Sequence, residues 1–228
     1  MKIVCIGAHP DDVELAMGGT VALLTNLGHE VTILDLSNGE PTPCGDVETR
    51  AMESSQAAKL LGVKRITLDN PNRFIFDTIE ARKKLATVFR ELRPELIFTH
   101  YEFDFHPDHV ESSALTEAGR FYSKLSKSDI EGEPFFPEKI LYYFPNHVYL
   151  NLHPSFLVNI SEFIETKEKV MNCYHSQFIK KGNGIMIKNC IDVNRYYGIR
   201  IGADYAEPFY SKTSVDICYF SNLFTKKV

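Results

Sequence analysis

Two short segments hold most of the side chains that could do chemistry in this 228-residue chain. The first, Ala8-His9-Pro10-Asp11-Asp12-Val13-Glu14, puts one histidine and three carboxylates within six residues. The second, Phe105-His106-Pro107-Asp108-His109, sets two histidines three apart. Taken singly, each has an ordinary structural reading: Asp11 or Asp12 can cap a following helix, and Pro107 can open one. Taken together they supply what a hydrolytic metal centre needs. A catalytic zinc takes three ligands from histidine and carboxylate and keeps a position for water. It acidifies that water and polarises a carbonyl while a nearby carboxylate takes the proton. The five cysteines, Cys5, Cys44, Cys173, Cys190 and Cys218, form no Cys-x-x-Cys pair. Neither a disulfide framework nor a thiolate zinc site is expected, so a metal must draw on the eight histidines.

The surrounding pattern shows how the two segments meet. Ile3 to Ile6 is an apolar strand that stops at Gly7, and Val13 to Leu27 is an amphipathic helix closed by Gly28. Val31 to Leu36 is a second strand, and Ser37 to Pro43 an irregular turn-rich loop. A helix from Val47 to Leu61 ends on Gly62. A third strand at Ile66–Leu68, a helix at Thr78–Leu92 and a fourth strand at Leu96–Thr99 follow. This alternation predicts a doubly wound, mainly parallel α/β sheet of Rossmann-like type with helices on both faces. In the order 3-2-1-4, strands 1 and 4 are neighbours, and their C-terminal loops flank the switch point where ligands bind. His9, Asp11, Asp12, His106 and His109 should converge there.

The second half is less regular. His109–Tyr122 reads as a helix, Ser123–Pro137 as a polar connection, Ile140–Phe144 and Phe156–Ile160 as strands, and Ser161–Tyr174 as a helix capped by Ser161. Lys180–Asn183 reads as a loop, no element is assigned from there to Val215, and Val215–Phe220 reads as a last strand. With no repeat, linker or low-complexity tract, residues 1–228 are expected to form a single domain.

Composition narrows the function classes. Charged residues number 25 basic and 30 acidic, a net charge of −5. That is the wrong sign for a nucleic-acid partner and suits a small-molecule site. No apolar run is long enough to span a membrane, and the first residues lack the parts of a signal peptide, so a cytoplasmic enzyme is expected. A nucleotide-binding oxidoreductase is disfavoured because the first loop is Gly7-Ala8-His9-Pro10-Asp11-Asp12 and contains no Gly-x-Gly-x-x-Gly.

The two segments resemble the signatures of the PIG-L/LmbE family of zinc-dependent N-acetylglucosaminyl deacetylases, (A/P)HPDDxE near the N-terminus and HPDH after the fourth strand. Agreement extends through Gly18-Gly19-Thr20, Asp35-Leu36 with Gly39-Glu40, Arg50, Pro154-Ser155-Phe156, Ser176-Gln177-Phe178 and Tyr205-Ala206-Glu207-Pro208-Phe209. The resemblance is nearest to the small bacterial branch that includes the bacillithiol-pathway deacetylase acting on N-acetylglucosaminyl malate. It implies a hydrolase that removes the N-acetyl group from an N-acetylglucosamine-containing substrate. His9, Asp12 and His109 would hold one zinc ion per subunit. Asp11 would be the general base for the attacking water, and His106 would stabilise the oxyanion or protonate the leaving amine, with Asp108 orienting its ring. Arg50 would contact sugar hydroxyls or a negative aglycone, and Glu14 would anchor its loop. A homo-oligomer, a hexamer in many small members, is implied as well. Two positions depart from the pattern: Lys139 stands where members carry an arginine, and Asn189-Cys190 where many have Ala-Arg.

Other readings remain: a metal-dependent amidohydrolase acting on another acylated amino sugar or thiol-precursor conjugate, or a noncatalytic sugar-binding protein on the same fold. His29, His147, His153 and His175 read as surface or packing residues, and His100 as reaching at most the pocket rim. The cysteines read as small buried hydrophobes.

Overall fold

Apolar runs bounded by glycine and capping residues become strands and helices in alternation. In the computed structural model, which describes residues 1–145, 151, 153–180 and 182–225, the strands are β1 (Lys2–Gly7), β2 (Glu30–Asp35), β3 (Lys64–Thr67), β4 (Leu96–His100), β5 (Lys139–Tyr143), β6 (Phe156–Asn159) and β7 (Ala206–Tyr210). They form one sheet in the order β3-β2-β1-β4-β5-β7-β6. The pairs β3-β2, β2-β1, β1-β4 and β4-β5 are parallel, and β7 runs antiparallel to both β5 and β6. The expected 3-2-1-4 order is present, with Cys5 of β1 beside Phe98 of β4.

The helices are α1 (Asp12–Asn26), α2 (Val47–Leu61), α3 (Ile79–Leu92), α4 (Pro107–Ser123), α5 (Ile164–Met171), α6 (His175–Phe178), α7 (Gly184–Ile199) and α8 (Ile217–Phe224). Successive side chains of a strand point to opposite faces, so β1 feeds two cores. Ile3 and Cys5 join α1, α5 and α7 residues such as Leu15, Met171 and Ile187, while Val4 and Ile6 join Leu85 and Phe89 of α3 and Leu115 of α4. Local chemistry fixes several helix ends. Asp46 accepts the Thr49 N–H to start α2 and Thr78 accepts the Ala81 N–H to start α3, while Gly62 ends α2 at φ 68°.

Helix α1 is broken at Met17, where φ is −142° and ψ 23°. The Gly19 and Thr20 N–H groups freed by the break donate to the two carboxylate oxygens of Glu207, at 3.0 and 2.7 Å. Glu207 is in turn paired with Lys167 at 2.6 Å, both wholly buried. A new helix start inside α1 thus finds its acceptor in β7, itself paired with α5.

Several expectations change. Of the strand expected at Val215–Phe220, residues 217–220 are instead the first half of α8, begun by Asp216, whose carboxylate accepts the Cys218 N–H at 2.9 Å. Phe220, Leu223 and Phe224 recur at helical spacing and turn onto the core, whereas Ile217 is exposed. The helix expected over Ser161–Tyr174 is divided into a 3-10 turn (Ser161–Phe163), α5 and a turn before α6. Of the cysteines only Cys5 and Cys190 are buried, and Cys218 is exposed. His147 lies outside the described residues.

Candidate functional site

The loops leaving β1 and β4 face one another across the switch point, as the topology requires. They enclose a cavity of about 270 Å³ whose lining includes His9, Asp11, Asp12, Arg50, His106 and His109. All the expected site residues except Asp108 line it, and Asp108 touches His9 from behind. His106 serves as N-cap of α4, its Nδ1 accepting the Asp108 N–H at 3.2 Å, with Pro107 at the first helical position. One turn of helix then stacks the His106 and His109 rings, with centroids 4.6 Å apart.

Each of two buried histidines has one ring nitrogen held by a carboxylate. His9 Nε2 is 3.0 Å from Oδ2 of Asp108, and His109 Nδ1 is 2.8 Å from Oδ2 of Asp104. Their other nitrogens meet at Asp12, with His109 Nε2 3.2 Å from Oδ1 and His9 Nδ1 3.4 Å from Oδ2. Ligand atoms of His9, Asp12 and His109 all lie within 4.8 Å of one another. Two imidazoles and a carboxylate, each imidazole backed by a second carboxylate, form the donor set of a hydrolytic divalent-metal site. The residues therefore fit a cation, and no thiolate contributes.

Charge is arranged to match. Burial opposes protonation of His9, but the Asp108 and Asp12 carboxylates outweigh it and lift His9 to about 9. Burial likewise works against a charged His109, and Asp12 and Asp104 overcome it, raising the group to about 10. Asp12 is held well below the usual carboxylate range because His109 and His100 outweigh its burial. Bare of metal, this is a compact cluster of fixed carboxylates neutralised by protonated imidazoles.

Asp11 is in a different environment. Its backbone has φ 108°, a left-handed conformation that non-glycine residues seldom adopt. Arg50 holds it there, Nη1 donating to Oδ2 of Asp11 at 3.2 Å and Nη2 to the Pro10 carbonyl at 2.5 Å. Burial raises the Asp11 carboxyl, Arg50 pulls it partly back, and the result is about 6. A carboxylate near neutrality is suited to taking a proton from water. His106 is exposed at the cavity, and burial of its ring together with the charges of His109 and His9 lowers its pKa. Since Nδ1 is an acceptor, the neutral ring carries its proton on Nε2.

Two sequence-based roles are corrected. The Asp108 carboxylate does not orient His106: it is turned to His9 and also accepts the Arg73 N–H at 2.7 Å, and only its backbone N–H meets His106. His100 is no rim residue, being 1% exposed and placed behind Asp12 and His109. Arg50 lines the cavity, yet its guanidinium is committed to Asp11 and Pro10, with Glu40 3.8 Å from Nε. Glu14 anchors as expected, accepting from Arg65 at 2.5 Å and from the Tyr174 hydroxyl at 2.7 Å. Asp104 went unnoticed in the sequence. The signal was available, since an imidazole that binds a metal commonly needs a carboxylate on its other nitrogen, and Asp104 lies five residues before His109.

Residues 4–119 match the family described as GlcNAc-PI de-N-acetylase, PIG-L. The diacetylchitobiose deacetylase of Thermococcus kodakarensis is 30% identical over 240 aligned positions, covering 97% of this chain and 88% of that protein. Among solved structures, the conserved protein TT1542 of Thermus thermophilus superposes with a TM-score of 0.88 at 38% identity, covering 95% of this chain and 96% of that one. The N,N'-diacetylchitobiose deacetylase of Pyrococcus horikoshii superposes with a TM-score of 0.79 at 27% identity, covering 91% and 82% respectively.

Proposed function

The chain belongs to the PIG-L family of GlcNAc-PI de-N-acetylases, and from that premise we propose that it hydrolyses the acetamide of an N-acetylglucosamine-containing substrate, using zinc held by His9, Asp12 and His109. The observation that carries the reading is the paired arrangement of the two imidazoles. Asp108 and Asp104 occupy one nitrogen of each, leaving the others facing Asp12 inside the cavity that also holds Asp11 and His106.

Zinc bound there would polarise the amide carbonyl and make the attacking water more acidic. Asp11 takes the proton from that water as its oxygen adds to the carbonyl carbon. The Arg50 contact keeps the Asp11 carboxylate aimed at the cavity through this step. His106, donating from Nε2, holds the negative charge that develops on the carbonyl oxygen. Collapse breaks the carbon–nitrogen bond, the nitrogen receives a proton from Asp11 or His106, and acetate and a free amine leave. The cavity, at about 270 Å³ and lined by Asn72, Gln177 and Arg73 among others, is of a size for one sugar ring.

The family premise extends to a homo-oligomeric, hexameric enzyme, and the reading places it in the cytoplasm. Phe74, Phe76, Phe103 and Phe105, exposed on the segments that adjoin the cavity, support contact with another surface. No helix among the described residues is long and apolar enough to cross a membrane.

The deciding experiment is acetate release from a panel of N-acetylglucosamine conjugates by zinc-loaded and metal-depleted protein. Release that disappears on depletion and returns with zinc is expected. Equal release from verified metal-free protein, or none from any conjugate, overturns the reading.

A further inference from the structure

A fourth histidine lies behind the three cation ligands proposed above. His100 ends β4, and its ring stacks on that of His109 with centroids 4.1 Å apart and planes at 21°, and packs on the Tyr143 ring at 4.8 Å. Its Nε2 reaches two groups, the Ala8 N–H at 3.0 Å and Oδ2 of Asp12 at 3.2 Å. Nδ1 is buried with no hydrogen-bond partner among the described residues.

One ring nitrogen cannot donate and accept at once. With the proton on Nδ1, Nε2 accepts from Ala8, and Oδ2 of Asp12 keeps the His9 backbone N–H, at 2.8 Å, as a donor, with His9 Nδ1 3.4 Å away. With the proton on Nε2, the ring donates to Oδ2, which then has two donors, while Oδ1 is left facing His109 Nε2 at 3.2 Å. Each arrangement leaves one buried N–H without its acceptor, Nδ1–H in the first and the Ala8 N–H in the second. The charge on Asp12 favours the second, because only it adds a hydrogen bond to an ionised acceptor, about twice as strong as one between neutral groups.

We propose that His100 is a positioning residue of the cation site, donating from Nε2 to Oδ2 of Asp12 so that Oδ1 is the oxygen offered to the cation. The inference rests on His9, Asp12 and His109 being the ligands. Its chemical consequence is that Oδ2, saturated by His9 N–H and His100, is withheld from the cation, which keeps a position open for water. The stacked ring also supports His109 on the face turned away from His106.

Three substitutions separate this role from space filling. In His100→Gln the amide reaches the place of Nε2 with a donor and an acceptor together, serving Asp12 and Ala8 at once. His100→Asn is one methylene shorter and falls short of Asp12, and His100→Phe keeps a ring but no donor. Cobalt(II) affinity, by competition with a chromophoric chelator, and the visible spectrum of the cobalt(II) protein are read alongside the melting temperature of each metal-free variant. The glutamine variant is expected to bind and absorb like the wild type. The asparagine and phenylalanine variants should bind about 10- to 100-fold more weakly, the size of effect found for residues that orient metal ligands. Their absorption should be altered because both Asp12 oxygens become available. Wild-type affinity and spectrum in both would overturn the proposal. So would complete loss of cobalt in the phenylalanine variant, which would make His100 a ligand. If the phenylalanine variant fails to fold, the glutamine–asparagine pair decides, and equal loss in both overturns the proposal. Because no substrate is used, the outcome is independent of whether acetylated sugars are turned over.

Discussion

Beside β6, Phe156, Val158, Phe163, Phe220 and Phe224 line a cavity of about 570 Å³, and between β1 and β4 lies one of about 270 Å³ lined by His9, Asp11, Asp12 and His109. Among the described residues the larger has no cluster of titratable groups in its lining, Glu162 being the one ionisable side chain there. In the smaller, each buried charge has a second charge fixing it: Asp108 on His9, Asp104 on His109, Arg50 on Asp11. Volume alone would favour the larger. What distinguishes a reaction site is preorganised charge in a partly dehydrated space, and that is present only in the smaller of these two.

The comparison can be broken most directly at Asp11. Asp11→Asn should lower the turnover number for acetate release by about 10²- to 10⁴-fold, the usual contribution of a general base, with zinc content unchanged. Full activity would remove the base from the mechanism. Next in size, Asp104→Asn should weaken zinc binding by about 10- to 100-fold, read by chelator competition. Unchanged affinity would mean that the His109–Asp104 contact does nothing for the ligand.

A smaller effect is expected on the stability of the metal-free protein as pH changes. Despite burial, the neighbouring carboxylates raise His9 to about 9 and His109 to about 10. Groups raised above the ordinary histidine value of about 6.5 stabilise the fold fully below that value and lose the contribution as pH rises through their folded-state values. The melting temperature of metal-free protein should therefore fall between about pH 6.5 and pH 10. Zinc affinity should rise over the same interval, because the protons on the ligand nitrogens must leave. A melting temperature that climbs across this range would contradict the carboxylate–imidazole pairing. The least effect on catalysis is predicted for Phe156→Ala in the larger cavity. It should cost stability of about 1–3 kcal/mol, below a fully buried phenylalanine because the ring is only partly buried, and leave turnover unchanged. A loss of turnover matching that of Asp11→Asn would erase the distinction between the two regions.

The two halves of the chain were not equally legible. In the first, apolar runs end on residues with a definite local role, Gly28 after α1, Asp46 and Gly62 around α2, and Thr78 before α3, so the elements fall close to their expected places. Strand β3 was displaced, expected at Ile66–Leu68 and found at Lys64–Thr67, because it is an edge strand whose Arg65 turns inward to Asp35 and Glu14. In the second half, α7 has its buried positions at Ile187, Cys190, Asn194 and Gly198, a helical spacing overlooked because two of the four are not apolar. The first residues of α8, Ile217, Cys218, Tyr219 and Phe220, form a short apolar run of strand-favouring types and so imitate a strand. The Asp216 cap and the packing of Phe220 on Phe156, at 4.8 Å between ring centroids, decide for helix.

The sequence by itself determined which residue types could act and which loops must carry them, because the alternation of strands and helices leaves little choice of topology and the topology brings the ends of β1 and β4 together. Only the tertiary structure decided how those residues divide the work. Asp108 serves His9 instead of His106, Arg50 is bound to Asp11, Asp104 completes His109, and His100 lies behind Asp12. Such pairings depend on separations of about 3 Å between groups up to 99 residues apart, set by the packing of whole elements, and no spacing along the chain encodes them.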